Sequence, residues 1–253
     1  MKKIYGNTKP SKGALINWAH PLSRGLVGYW PMNEGMGDKI YDFSGNKNTG
    51  TLMGMAHPST AVSGWNPGKF GSALNFDSTN DYIVIGTNSI ISASEGSVSL
   101  WVKFNAISKN EVLFISGAAT ADGINTVDSY RIRLDGATNK IYAGWITATE
   151  PDMSYSDSAM VINVWYHVVS VWGLSANLVN LYIDGKLQVE DDSFTGNNKN
   201  NWVNEIRIGR SMASATNVYP LDGSIDGVRI DNQALSAAMA LQLYKESFCI
   251  FNR

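Results

Sequence analysis

"SVSLWVKF", residues 97–104, alternates without a break. Val98, Leu100, Val102 and Phe104 fall on one side, and Ser97, Ser99, Trp101 and Lys103 on the other. Successive side chains of an extended chain point to opposite faces, so this is the pattern of a strand with one face on a core. Working outward, "WYHVVSVW" (165–172), "VNLYIDG" (179–185), "EIRIGR" (205–210) and "GSIDGVRID" (223–231) are runs of the same kind. "ALNFD" (73–77), "DYIVIG" (81–86), "EVLFIS" (111–116), "SYRIRLD" (129–135) and "KIYAGWI" (140–146) lie between them. Val, Ile, Tyr and Trp fill these runs and Gly, Asn, Asp or Ser bound them, as strand signals require. "DGATNK" and "IDGKL" read as hairpin turns, because Asp-Gly tolerates the positive φ such turns need. One segment, "LSAAMALQLYKE" (235–246), has helix propensity, with Ser236 as its N-cap. The chain is therefore expected to be all-β: a two-sheet antiparallel jelly-roll sandwich with one short C-terminal helix packed against one end.

The composition narrows the functions open to such a fold. A chain of 253 residues can bury a large core in a single domain. With a formal net charge of −2 and no basic stripe, neither nucleic acid nor an anionic membrane surface is an expected partner. No run approaches the ~20 consecutive apolar residues of a membrane helix. The opening "MKKIYGNTKPSKG" has a charged start without the apolar stretch that would make it a secretion signal. One cysteine, Cys249, excludes an intramolecular disulfide and carries no nucleophile motif.

Several segments, taken in order, resemble the laminin-G-like, concanavalin A-like lectin-glucanase jelly-roll family. They are "GLVGYWPMNEG" (25–35), "DFSGNKNTGTL" (42–52), "GKFGSALNFDSTNDYIVIG" (68–86), "SVSLWVKF", "WYHVVSVW…VNLYIDGKL" and "LDGSIDGVRIDNQALSAAMALQLY". The resemblance divides the chain into an N-terminal arm (1–24), a laminin-G-like domain (25–246) and a C-terminal tail (247–253). It implies two stacked sheets of about six or seven strands each. The flanks "GALINWAHPLSRGLVGYW" and "LYKESFCIFNR" are similar to the ends of such proteins in bacteriophage and environmental virus genomes. That similarity implies a virion component assembled in the host cytoplasm. Its arm would meet capsid or other virion proteins, and it would form a homo-oligomer.

Residues 42–50, "DFSGNKNTG", set side-chain oxygens at every second position: Asp42, Ser44, Asn46 and Asn48. Calcium takes six to eight such oxygens, so the stretch could be half of a calcium loop. An EF-hand would need Glu where Met53 stands. The alternative is a polar turn in which Asp42 and Asn46 bond their own backbone two residues on. The family resemblance supplies a further ligand, Asp226 in "GSIDGVRI", with Glu34 a third carboxylate. The implied cofactor is one structural Ca2+ held by Asp42, Asn46, Asn48 and Asp226.

The fold hosts both lectins and glycoside hydrolases, so catalysis has to be argued from residues. Hydrolases of this family carry a Glu-x-Asp-x-x-Glu strand that pairs two carboxylates. The nearest stretch, "EPDMSY" (150–155), ends in Tyr155, and Pro151 is out of place in a central strand. His20, His57 and His167 form no metal pattern, and His167 reads as a satisfied structural histidine. No catalytic residue is assigned. Sugar sites pair aromatic platforms with polar side chains, and Trp145, Tyr155, Trp172 and Trp202 lie where they could serve. Trp30 and Trp165 are assigned to the core. The expected function is a non-catalytic module recognising a glycan or another surface polymer, displayed on a phage particle. A purely structural virion protein and a polysaccharide-cleaving enzyme are the alternatives.

Overall fold

The computed structural model describes residues 7–11, 13–86, 94–117, 129–146, 151–173, 178–191, 205–212 and 218–251. In chain order the strands are β1 (Leu26–Trp30), β2 (Lys39–Ile40), β3 (Gly50–Met53), β4 (Gly64–Gly68), β5 (Gly71–Asp77) and β6 (Tyr82–Ile85). They continue as β7 (Glu95–Phe104), β8 (Glu111–Gly117), β9 (Ser129–Leu134), β10 (Ile141–Ile146), β11 (Pro151–Tyr155) and β12 (Trp165–Gly173). The last are β13 (Leu178–Ile183), β14 (Lys186–Leu187), β15 (Glu190–Asp191), β16 (Ile206–Ile208) and β17 (Asp222–Asp231), before the helix α1 (Ala237–Lys245). One antiparallel sheet runs β14-β13-β12-β7-β17-β5-β4, with β1 added to β17, and the other runs β15-β11-β10-β9-β8-β16-β6-β3-β2. The sheets hold eight and nine strands rather than six or seven, because short pieces such as β2, β14 and β15 extend the edges.

The alternation of β7 is realised as the sequence predicts. Val98, Leu100, Val102 and Phe104 face the core between the sheets, against Leu74, Phe114, Ile132 and Ile225. β17 bends at an irregularity between Asp226 and Arg229, where Gly227 takes φ 63, so Ile225, Val228 and Ile230 all still point inward. The "IDGKL" hairpin has Asp184 at φ 52 and Gly185 at φ 75, the positive pair expected of Asp-Gly. Ser236 caps α1 by accepting from the Met239 N–H. Pro67 sits in β4 at the edge of its sheet, and Pro151 opens β11 one strand in from the other sheet's edge. Both positions tolerate a residue without an N–H.

The other face of the eight-stranded sheet is also covered. Val169, Val171 and Tyr182 pack with Ile16 and Leu22 of the arm, Leu243 of α1, and Phe248, Ile250 and Phe251 of the tail. Ile16 bridges to Phe251, and the Asn17 N–H donates to the Ile250 carbonyl at 2.7 Å. This second cluster explains why "WYHVVSVW" reads as nearly continuous apolar sequence: β12 is buried on both faces. His167 lies there against Trp101, ring centroids 5.0 Å apart, and burial drives its pKa down to about 3. It is structural, but its Nδ1 has no hydrogen-bond partner, so "satisfied" does not describe it. Trp30 is core as expected. Trp165 is only half-buried, beneath the Lys103 ammonium. No helix among the described residues is long and apolar enough to cross a membrane.

Candidate functional site

The outer face of the nine-stranded sheet is packed differently: Val112, Ile115 and Met212 form a small buried cluster there with Tyr219 against it, and Arg131, Arg133 and Tyr142 are buried beside them. Residues directly opposite on antiparallel strands share a face, so the register lists what this one carries. One row runs Tyr155, Tyr142, Arg133, Val112 across β11, β10, β9 and β8. The next runs Met153, Gly144, Arg131, Ile115, Arg207, Val84 across β11, β10, β9, β8, β16 and β6. The intervening residues, Ala143, Ile132, Phe114, Ile208 and Ile83, are in the core.

The two rows form a band of arginines interleaved with tyrosines. The Arg133 guanidinium lies over the Tyr142 ring at 5.1 Å and the Tyr219 ring at 4.8 Å. Arg207 and Arg210 both lie over Tyr82, at 5.0 and 5.4 Å. Tyr142 and Tyr155 sit ring beside ring at 5.4 Å. The Arg131 Nη2 donates to the Ser129 hydroxyl at 2.9 Å. Arg133 is 5% exposed, yet none of the described residues forms a salt bridge with it and its Nε donates to nothing. Glu205 pairs with Arg207, Glu190 stands opposite Tyr155 in the first row, and the charge of Arg133 acts on Asp135 nearby. Burial, with the like charge of Arg133 adding to it, lowers Arg131 to about 10, so it remains cationic at neutral pH. Burial pushes Tyr142 up to about 12, keeping it a neutral phenol. Burying a guanidinium is costly, and the two rings offset about 0.5–2 kcal/mol each of that cost.

Of the aromatic residues expected to touch a ligand, Tyr155 stands on this face, half-buried in its band. Trp145 and Trp172 do not: at 1% and 0% exposure they pack on Tyr130 in the core, at 4.8 and 4.5 Å between ring centroids. Inward alternation of β10 and β12 puts them there. Trp202 lies outside the described residues. Arg131 and Arg133 supply two of the band's four guanidinium groups and were not assigned from the sequence. Their signal was present in "SYRIRLD", where Tyr130, Ile132 and Leu134 alternate inward and leave two arginines on one outer face.

Of the four proposed calcium ligands, Asp42, Asn46 and Asn48 come together around the Val27 carbonyl, while Asp226 is bonded elsewhere. Asp42 Oδ1 accepts from the N–H groups of Tyr29 (3.0 Å) and Ser44 (2.8 Å). Its Oδ2 accepts from the Ser44 hydroxyl, the Asn48 N–H and the Asn48 amide at 2.8–3.0 Å. The Asn46 and Asn48 side-chain NH2 groups both turn to the Val27 carbonyl, at 3.0 and 3.1 Å. The Asp42–Ser44 bond is the turn two residues long that was the alternative reading. Asp226 meanwhile accepts from the Phe70 N–H at 2.9 Å and pairs at 2.5 Å with the Lys9 ammonium. Lys9 also donates to the carbonyls of Met32 and Ser72. A lysine from the arm thus holds the position beside Asp226, and each carboxylate faces donors, not a shared centre. Among the described residues no three His, Cys, Asp or Glu side chains group to hold a metal. This arrangement does not fit one calcium held by all four residues, because Asp226 is taken by Lys9 and the Phe70 N–H.

Two hollows lie elsewhere among the described residues. One, of ≈ 20 Å3, lies between Trp101, His167, Arg229 and the helix residue Leu243, with room for about one water and no more. The other is an open depression of ≈ 210 Å3 lined by Glu34, Met36, Gly37, Asp38, Lys39 and Tyr41.

Known proteins agree with the fold. The receptor-binding domain of botulinum neurotoxin C/D mosaic serotype superposes with a TM-score of 0.65 at 15% identity, over 87% of this chain and 51% of that one. Trypanosoma rangeli sialidase gives 0.63 at 13%, over 90% of this chain and 34% of that one. Domain 4 of AbnA, an extracellular arabinanase from Geobacillus stearothermophilus in complex with arabinotriose, gives 0.61 at 20%, over 87% and 98%. The chain spans about half of the neurotoxin domain and a third of the sialidase. No curated protein matches it. The family model of laminin G domains matches residues 77–239, and the chain belongs to the concanavalin A-like lectin/glucanases superfamily.

Proposed function

We propose that the chain is a non-catalytic binding module that recognises a glycan or another surface polymer on the outer face of its nine-stranded sheet. The observation that carries this reading is Arg133, buried between Tyr142 and Tyr219 with Tyr155 beside them. Rings that cover the apolar face of a pyranose, next to planar donors for its hydroxyl rim, are the parts a sugar site needs. The arabinotriose complex of the similar arabinanase domain supports a carbohydrate ligand. A hydrolase would need a pair of free carboxylates at this face, and Glu205 there is tied to Arg207. The test is a glycan array probed with and without calcium and a chelator. Saturable binding that chelation leaves unchanged is expected, since Asp42 and Asp226 are already satisfied by donors of the chain itself. Absence of binding to every glycan would contradict the reading.

A second reading places the module on a virus particle. It is supported by Leu15 and Trp18, which stay 72% and 57% exposed while Ile16 and Leu22 beside them are buried. An arm that is anchored yet presents two large apolar side chains suits contact with a capsid or other virion protein, or with a second copy of the chain. Replacing both by Ser should abolish co-sedimentation with particles and leave glycan binding intact. Unchanged co-sedimentation would exclude this role for the arm.

A further inference from the structure

We infer that the cover of the eight-stranded sheet is an acid-released latch: protonation of His20 and His167, which share the buried Arg229 as a neighbour, frees residues 16–22, α1 and the tail from the sheet beneath. The cover is a separate body of packing. Its apolar cluster joins the arm, α1 and the tail to Val169, Val171 and Tyr182, apart from the core between the sheets. The polar ties across it include the Asn17 N–H to the Ile250 carbonyl, the Tyr29 hydroxyl to the Ser247 carbonyl at 3.1 Å, and the Trp101 Nε1 to the Ser247 hydroxyl at 3.0 Å. Segments held in this way open as local units while the main core stays folded.

Both histidines must be neutral to hold their places. His20 caps the turn Pro21–Ser23, its Nδ1 accepting from the Leu22 N–H at 3.1 Å, and a protonated ring has no lone pair left to accept with. His167 is 3% exposed between Trp101 and the α1 residue Tyr244, at 5.0 and 6.2 Å between ring centroids. Its Nδ1 has no hydrogen-bond partner among the described residues, and it shares the ≈ 20 Å3 hollow with Arg229, Ser99, Leu243 and Ser247. A proton on His167 would set a second cation beside a buried guanidinium, with room for about one water to solvate it. Burial holds His167 down to about 3; burial and the charge of Arg229 lower His20, and Glu246 opposes them. Around His167 stand Lys69 over Trp101, Asp184 accepting from the His167 N–H at 2.8 Å, Asp226 opposite Trp101, and Asp231 paired with Arg229. Lys9 and Lys186 act on Asp226 and Asp184 in turn. Burial raises these three carboxylates, so they take up protons more readily in the closed state and do not drive opening. The Tyr29 phenol and the Cys249 thiol, also raised by burial, stay neutral. A histidine that is lowered when closed and ordinary when open exerts no pull above its free pKa of about 6.5, and favours opening increasingly as pH falls below it.

Hydrogen exchange of the full chain, read by mass spectrometry and corrected for intrinsic rates, measures the opening of each segment. Between pH 7.5 and pH 5 the opening constant over residues 16–22 and 237–251 is expected to rise about 30-fold, as one histidine released from about 3 to its free value implies. Protection in β9 and β10 should be kept. His167→Phe leaves a ring between Trp101 and Tyr244 and removes no hydrogen bond from the ring nitrogens, so it should fold and cut the rise to a few-fold, the share of His20. His20→Asn keeps a capping side chain that takes up no proton, and the double variant should show no rise. If His167→Phe does not fold, His167→Gln, uncharged at both pH values, takes its place. No rise in the wild-type chain, an equal rise in β9 and β10, or a rise undiminished in the double variant would overturn the inference.

Discussion

Replacing Lys9 by Met lowers the unfolding free energy by about 3–5 kcal/mol, the cost of stranding one member of a buried ion pair. The Lys9 side chain is 8% exposed and that of Asp226 is 0% exposed, with 2.5 Å between them. Burial pulls the Lys9 pKa down and pushes that of Asp226 up, while the charge of each partner opposes the shift. Both groups would sooner be neutral, so the pair itself adds little. Removing the lysine alone leaves a charged carboxylate among Phe70, Trp101 and the turn at Gly68, with two carbonyls also stripped of their donor. The double variant Lys9→Met, Asp226→Leu should recover most of the loss, and urea unfolding of the four corners of that cycle gives the coupling directly. A loss below about 1 kcal/mol in Lys9→Met, the size of an exposed pair, would mean that the arm does not hold Asp226. Asp226 is the residue that the family resemblance assigns to calcium. In this chain the positive charge beside it is supplied covalently.

Trp172→Ala is expected to cost about 3–5 kcal/mol, and Trp145→Ala a similar amount, as deletion of a large buried ring does. Trp172 is fully buried against Tyr130 and Trp145 and packs over Gly96, where any Cβ would collide with its ring. Such variants should bind glycan with unchanged affinity in their folded fraction, because neither ring reaches the outer face. Tyr155→Ala should behave in the opposite way, with little loss of stability and a clear loss of binding. A Trp172→Ala protein of native stability, or one that is folded but no longer binds, would return Trp172 to the surface.

The fold was legible because a sandwich strand writes its two environments into alternate residues, and β7, β9 and β12 do so plainly. Among the strands missed are those whose pairing is not written locally: β4 and β11 carry Pro67 and Pro151, β3 is four residues long, and β2, β14 and β15 are two. The covering of the eight-stranded sheet was illegible for another reason. Ile16, Leu22, Phe248 and Phe251 show no period, and only the bridge between the arm and the tail brings them together. The site divides in the same way. "SYRIRLD" already separates Arg131 and Arg133 from the core, but whether a carboxylate elsewhere would neutralise them is a long-range fact. "DFSGNKNTG" is equally suited to a cation or to N–H donors. The choice is made by the backbone of β1 and by Lys9, far away in sequence from Asp226.

The most direct test of the central claim is amide chemical-shift mapping of the labelled protein, titrated with the tightest glycan found. The account predicts perturbations in β9, β10 and β11, at Arg131, Arg133, Tyr142 and Tyr155, with Ser99 and Val169 of the opposite sheet unmoved. Shifts centred instead on the depression at Glu34, Met36 and Tyr41, with β9 and β10 silent, would contradict it.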